Sequence, residues 1–324
     1  MTSKHVTIMN LHVWPSDFGL PSVDTACLQC MVAAKLCAAP IKFEYSCKPW
    51  KSPSGTLPCL DTGKFKITQF EDFVEFLRNT NQDVVLDNDL IPAQQHEFDA
   101  YNSLLRQKLL PALLYYAWID NINYNTVTQY WYSSKVGMIY GMYYLERRRR
   151  SIEGFVSAGG KTPAQLTADA IQVLNLLSAK ISDNKYFCGD KPCSLDALIF
   201  GYLAPLLRIP LPNDRLQMHI VSCPNLVRFV ESIISIYLPL SEDAIREQTD
   251  VKKFWTKRKE NAQKVLNDGR IRRDQRRTEQ ERSDADSSLR DVVLFAMGAV
   301  TLSILFAAHT GIIEFTPLST PSKK

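Results

Sequence analysis

The 324 residues are 45% hydrophobic and 22% charged, the balance of a globular chain with a sizeable core. A net charge of +4 is too small to mark a nucleic-acid binder, and it is local: residues 252–290 hold thirteen Lys or Arg against seven Asp or Glu, a surplus of +6, which leaves −2 for the rest. Residues 1–11 lack the apolar core of a secretory signal and the Arg- and Ser-rich face of a transit peptide, so synthesis in the reducing cytosol is expected, with the eight cysteines as small core residues.

In chain order, Val6 to Val13 is a short apolar run suited to a buried strand. Asp24 to Ala38 predicts a helix with Asp24 as its N-cap, stopped by Pro40. Ile41 to Ser46 is a second strand, so a helix crosses over between the two. Leu57–Leu60 and Lys64–Ile67 flank an Asp61-Thr-Gly63 turn and predict a hairpin. Thr68 to Arg78 follows as a helix with Phe70, Phe73, Val74 and Leu77 on one face. This β-α-β-β-β-α order is that of a thioredoxin-like α/β layer, assigned to residues 1–85. From residue 90 to 242 the patterning is all-helical, with helices at Glu97–Asp120 (kinked at Pro111), Asn125–Glu146, Pro163–Ile181, Ser194–Leu207 and Pro224–Tyr237. Residues 243–290 lose the apolar stripe after Leu266 and read as a basic linker.

Residues 291–313 predict a transmembrane helix. Val292 to Ile313 is free of permanent charge and at about 1.5 Å per residue reaches about 33 Å, enough for a hydrocarbon core of about 30 Å. The basic stretch before it marks the cytosolic side and an anionic lipid surface as its neighbour. With residues 314–324 as a short trans-side tail, the segment reads as a tail anchor. Ala299, Ser303, Ala307 and Gly311 share one face of it, either as a packing face for a membrane partner or as small residues common in spans.

Several patterns invite chemistry. Cys27-Leu-Gln-Cys30 is a C-x-x-C, but it lies inside the helix rather than at its N-terminus and favours a core role over a redox one. Arg147, Arg148, Arg149 and Arg150 form a basic patch, read either as a solvated helix end or as a docking site for an acidic partner or lipid. Tyr130, Trp131, Tyr132, Tyr140, Tyr143 and Tyr144 crowd one predicted helix, as core and groove lining or as a partner surface. The histidines are scattered and no phosphate-binding glycine pattern occurs, so no metal or cofactor is expected. Nucleic acid is not expected as a partner, because no RNA-binding motif accompanies the basic stretch.

Phe18-Gly-Leu-Pro-Ser-Val-Asp24, Pro49-Trp-Lys-Ser-Pro-Ser-Gly-Thr-Leu-Pro58, Lys108-Leu-Leu-Pro111, Trp118-Ile-Asp120, Phe187-Cys-Gly-Asp-Lys-Pro-Cys-Ser-Leu-Asp-Ala197 and Gly201-Tyr-Leu-Ala-Pro-Leu-Leu207 together resemble the metaxin family, in its membrane-anchored branch. The likeness runs from about Val6 to Leu240. It implies a glutathione-transferase-like fold on the cytosolic face of the mitochondrial outer membrane. It also implies a non-enzymatic role in protein import and β-barrel insertion, with a second metaxin (metaxin 2-like) and the β-barrel insertase of the sorting and assembly machinery as partners. Pro58 falls where thioredoxin-like folds carry a cis-proline. The register of the transferase capping box puts Cys193 and Asp196 at the start of a helix; with the usual hydroxyl missing, Ser194 is the alternative cap.

A membrane-tethered glutathione transferase or peroxidase is the competing reading. Such enzymes place a Tyr, Ser or Cys after the first strand, where this chain offers only Ser16 and Ser22. They also hold the peptide with a Glu/Gln-Ser pair, where this chain has Gln69-Phe70. Both departures weigh against glutathione chemistry.

Overall fold

The computed structural model describes residues 8–80 and 84–309, apart from the side chains of residues 138, 139, 281–289, 305 and 307–309. The chain divides into two compact units, Met1–Gln263 and Lys264–Lys324.

The first unit opens with a four-stranded sheet of order β2-β1-β3-β4. Strand β1 (Met9–Val13) pairs in parallel with β2 (Ile41–Tyr45) through the crossover helix α1 (Thr25–Leu36). On its other side β1 runs antiparallel to β3 (Cys59–Asp61), which pairs with the two-residue β4 (Lys66–Ile67). Asp24 caps α1 as expected, accepting the Cys27 N–H at 3.2 Å. Helix α2 (Phe70–Asn79) lays Phe70, Phe73, Val74 and Leu77 into the core, the four residues of the predicted stripe. Strands β3 and β4 are shorter than the sequence suggested because Pro58 and the Asp61–Gly63 turn take residues from their ends. The Gly63 N–H bonds Asp61 Oδ1 at 2.9 Å and Gly63 has φ +78°.

Among the described residues nine further helices follow: α3 (Pro92–Leu104), α4 (Leu110–Leu114), α5 (Asn121–Asn123), α6 (Gln129–Val136), α7 (Met138–Ala158), α8 (Pro163–Ile181), α9 (Ser194–Arg208), α10 (Arg215–Val221) and α11 (Pro224–Tyr237), before α12 (Glu242–His309). Pro111 stands within a continuous helical run, directly after a wide π-type turn at Leu105–Leu109. The helix expected over 125–146 is broken in two by Gly137, whose φ of +91° only glycine adopts readily. Helix α7 then runs on to Ala158. The run 147–150 therefore lies mid-helix, not at a helix end, and the six aromatics are divided between α6 and α7.

The charged stretch that composition marks as a linker is helical, as its wealth of Glu, Lys, Arg and Gln allows. Its first turns belong to the packed unit. Trp255 is buried against Phe18, with ring centroids 5.1 Å apart. Gln248 accepts the Gly19 N–H at 2.7 Å, and Gln263 donates to the Pro212 carbonyl at 3.2 Å. Of the second unit, residues 264–309 are described and are helical. No single helix among the described residues is long and apolar enough to cross a membrane. Residues 310–313 of the expected span and the 314–324 tail lie outside the described residues.

The sheet layer and the helical layer meet where α1 crosses α9. Gln29, buried on α1, donates to the Leu198 carbonyl at 3.0 Å. A Cβ built on Gly201 would run into Gln29 and lie 2.8 Å from the Thr25 carbonyl, so the helices touch backbone to side chain there. Gly201→Ala should thus cost about 1–3 kcal/mol through overpacking. Gly154→Ala, on α7 with open space around it, should gain about 0.5–1 kcal/mol. Urea unfolding of the two variants checks this, and opposite signs are the expected outcome.

Candidate functional site

A cavity of about 460 Å³ lies between the two layers. Its floor comes from Phe18 and Val23, from the start of α1 (Asp24, Thr25, Ala26, Gln29) and from Thr68, Gln69, Phe70 and Glu71 around the start of α2; the helical layer supplies the rest. The resemblance places the peptide anchor of a transferase at the start of α2, but the chemistry here differs. Neither Ser16 nor Ser22 lines the cavity. Ser16 faces a separate hollow of about 290 Å³ beside Trp255. Ser22 is fully buried, its Oγ without a hydrogen-bond partner among the described residues. At the end of β1 the chain places Trp14, buried edge-on to Tyr132 and Trp131 at 5.1 and 6.0 Å between centroids. Asp17 accepts the Trp131 indole N–H at 2.7 Å, fixing the cluster. Phe70 occupies the position of the anchoring hydroxyl and packs toward Phe98. Tyr132 does line the cavity, but from α6; burial first, then the neighbouring Tyr144, pushes its hydroxyl well above the ordinary range. Pro58 follows a cis peptide bond at the end of the loop that leads into β3.

Four charged side chains line the cavity. Burial drives the Glu71 carboxyl up, but hydrogen bonds from Asn102 (2.9 Å) and its own backbone, with Arg106 at 3.2 Å, outweigh it and hold the group below its ordinary value. Arg148 stands 3.5 Å from Asp24 and 5.4 Å over the Trp118 ring. Its neighbours in the run go elsewhere. Arg149 stacks on Tyr124 at 4.3 Å and donates to Asn121 at 2.9 Å. Arg150 pairs with Glu146 one turn back, and Arg147 is exposed. The aromatic set divides likewise: Trp131 and Tyr132 are core, while Tyr130, Tyr140 and Tyr143 are exposed.

At α9, Cys193 is the N-cap residue and Asp196 reaches back to it, accepting the N–H groups of Phe187 and Cys193 at 2.8 Å each and the Cys193 thiol at 3.1 Å. Ser194 is not the cap. It is the first helical residue, and its own N–H is taken by Asp87 at 2.7 Å. The sequence missed Asp87 because it is far from α9 along the chain. In the second unit Ser303 Oγ turns back onto the Ala299 carbonyl at 2.8 Å. The Ala307 side chain and Gly311 lie outside the described residues. Among the described residues no His, Cys, Asp and Glu cluster is arranged to hold a metal.

Comparisons with known proteins agree with this geometry. Residues 27–150 match a family model described as outer mitochondrial membrane transport complex protein, and residues 170–233 one described as glutathione S-transferase, C-terminal domain. Among solved structures, a Ceriporiopsis subvermispora glutathione S-transferase in complex with glutathione superposes with a TM-score of 0.51 at 16% identity, covering 73% of this chain and all of that one. The Phanerochaete chrysosporium transferase GSTFuA3 gives 0.52 at 11%, over 73% and 99%. The chain is thus a two-layer protein of the glutathione-transferase fold. Among curated relatives, a metaxin-1 homolog of Caenorhabditis briggsae is 46% identical over 94% of this chain and 97% of its own. Mouse metaxin-1 is 34% identical over 73% and 77%. The chain belongs to the metaxin family, on its metaxin-1 side.

Two measurements follow. Burial, only partly offset by its three hydrogen bonds, pushes Asp196 up to about 6. The native state therefore binds this proton more tightly than the unfolded chain, whose aspartate titrates near about 4. The resulting stability is complete below about pH 4 and lost as pH rises through about 6, a difference of about 3 kcal/mol. Against Asp196→Asn, wild type should show this extra decline across that window in urea titrations at stepped pH. Second, Cys27 and Cys30 are buried, with thiols raised chiefly by that burial, whereas Cys188 is half-buried and lowered chiefly by its hydrogen-bonding contact with Cys193. Iodoacetamide at neutral pH should modify Cys188 well before Cys27 or Cys30, as peptide mapping would read.

Proposed function

We propose that this protein is a non-enzymatic component of the outer mitochondrial membrane transport complex, its two packed layers facing the cytosol as a platform for partners. The observation that carries the reading is the replaced cleft: Phe70 stands at the hydroxyl anchor, Trp14 ends the first strand, and Ser16 and Ser22 point away from the cavity. At the cavity the start of α1 offers only the Thr25 hydroxyl, where the thiolate chemistry of the fold uses a Tyr, Ser or Cys as its activating group. In this reading residues 292–313 hold the protein on the membrane, since a charge-free run of this length suits a hydrocarbon core. The basic face before it lies on anionic lipid. The partners are a second metaxin and the β-barrel insertase, and the process served is protein import and β-barrel insertion.

The test is purification of the tagged chain from mitochondria in mild detergent, beside a chain lacking 292–324. Co-purification of a second metaxin and the insertase with the full chain, and loss of membrane association by the truncated one, is the expected result. Absence of both partners together with retention on glutathione resin would replace the platform reading with the enzymatic one.

A further inference from the structure

The cavity between the layers has features that a platform does not call for. Arg148 lies in the cavity wall, its guanidinium carbon 5.4 Å from the centre of the Trp118 ring and 38% of its side chain open. A guanidinium carries five N–H donors. Of these, one reaches Asp24 at 3.5 Å, the outer limit of a hydrogen bond, another bonds the Tyr144 hydroxyl, and Nε is buried without a partner among the described residues. Asp24 is itself engaged, since its other oxygen caps α1 through the Cys27 N–H. The N-terminus of α1 opens on the cavity at Thr25 and Ala26, adding partial positive charge beside the arginine. The other charged pair, Glu71 and Arg106, satisfies itself at 3.2 Å. Most of the remaining lining is apolar, with Leu110, Leu113, Val127, Ile152, Ile209 and Leu211 as its main members.

We propose that the cavity binds a single-chain amphiphile bearing one carboxylate, of the fatty-acid class, with its head on Arg148 and its chain against the leucine and isoleucine wall. Arginine matches a carboxylate in the plane of its fork. The volume of about 460 Å³ falls within the range of about 300–1,000 Å³ for small-molecule sites. A two-chain phospholipid exceeds it. A cationic amphiphile would face Arg148 without a free acidic partner, and a neutral one would leave the arginine as underbonded as it is now. A zwitterionic peptide would need a second cation, and Arg106 is already paired.

The test uses the full-length protein in phosphatidylcholine nanodiscs, with a diazirine-bearing palmitic acid and the matched diazirine alkylamine as probes. The acid should photolabel cavity residues on α4, α7 and the 209–211 segment, compete with excess oleate, and exceed the amine. Arg148→Gln should reduce that labelling by at least about tenfold, the size expected for a hydrogen bond to a charged group, while Arg148→Lys retains a larger share. Ser151→Trp leaves Arg148 in place and fills the cavity from an exposed position on α7. It should abolish labelling too, and it serves if Arg148→Gln does not fold. Labelling confined to residues 292–313, equal labelling by acid and amine, or cavity labelling undiminished in the folded variants overturns the proposal.

Discussion

The crossing of α1 and α9 is the contact on which the arrangement of the first unit rests. At Gly201 the missing side chain lets Gln29 and the Thr25 carbonyl approach the axis of α9, and Gln29 takes the Leu198 carbonyl as its partner. A buried amide with no partner would cost more than the bond returns, so this pairing also fixes the angle at which the layers meet. The cavity is the space left beside that crossing. Its floor is the first turn of α1, and its walls are helices whose positions descend from α9.

What separates this cleft from that of a catalytic relative is substitution within an unchanged frame. The sheet order, the cis bond before Pro58 and the Asp196 staple all belong to the fold. The reactive positions have instead been given to aromatic rings. Trp14, Trp131 and Tyr132 fill the end of β1 edge to face, an arrangement that adds packing energy but offers no activated nucleophile. The loop after β1 is further closed by Trp255 and Gln248 from α12.

The local part of this fold was legible in the sequence. Asp24 announced the start of α1, Pro163 and Pro224 the starts of α8 and α11, and the Phe70–Leu77 stripe the buried face of α2. These signals act through neighbouring residues only. Gly137 was passed over because one glycine within an apolar helical pattern is tolerable on the helical side of the map, and its positive φ is known only once α6 and α7 have packed. The helicity of residues 242–263 was hidden for a related reason. Its apolar stripe is brief, and Trp255 finds its partner Phe18 at the other end of the chain. Of the candidate site, the missing hydroxyls could be read from the sequence. The cavity could not, because Asp24 and Arg148 meet only in three dimensions.

The four consecutive arginines of α7 carry a consequence for how such runs diverge among relatives. A helix turns about 100° per residue, so adjacent side chains leave it in different directions. One of these guanidiniums is committed to an aromatic face within the cavity and a second to the ring of Tyr124, where a planar cation cannot be exchanged freely for an ammonium. The remaining two stand in solvent or against a flexible glutamate. Although contiguous in sequence, the four positions answer to unrelated constraints. Lysine should drift freely into the outer two while the inner pair stays arginine, turning a uniform block of charge into a record of which side of the helix faces the interior.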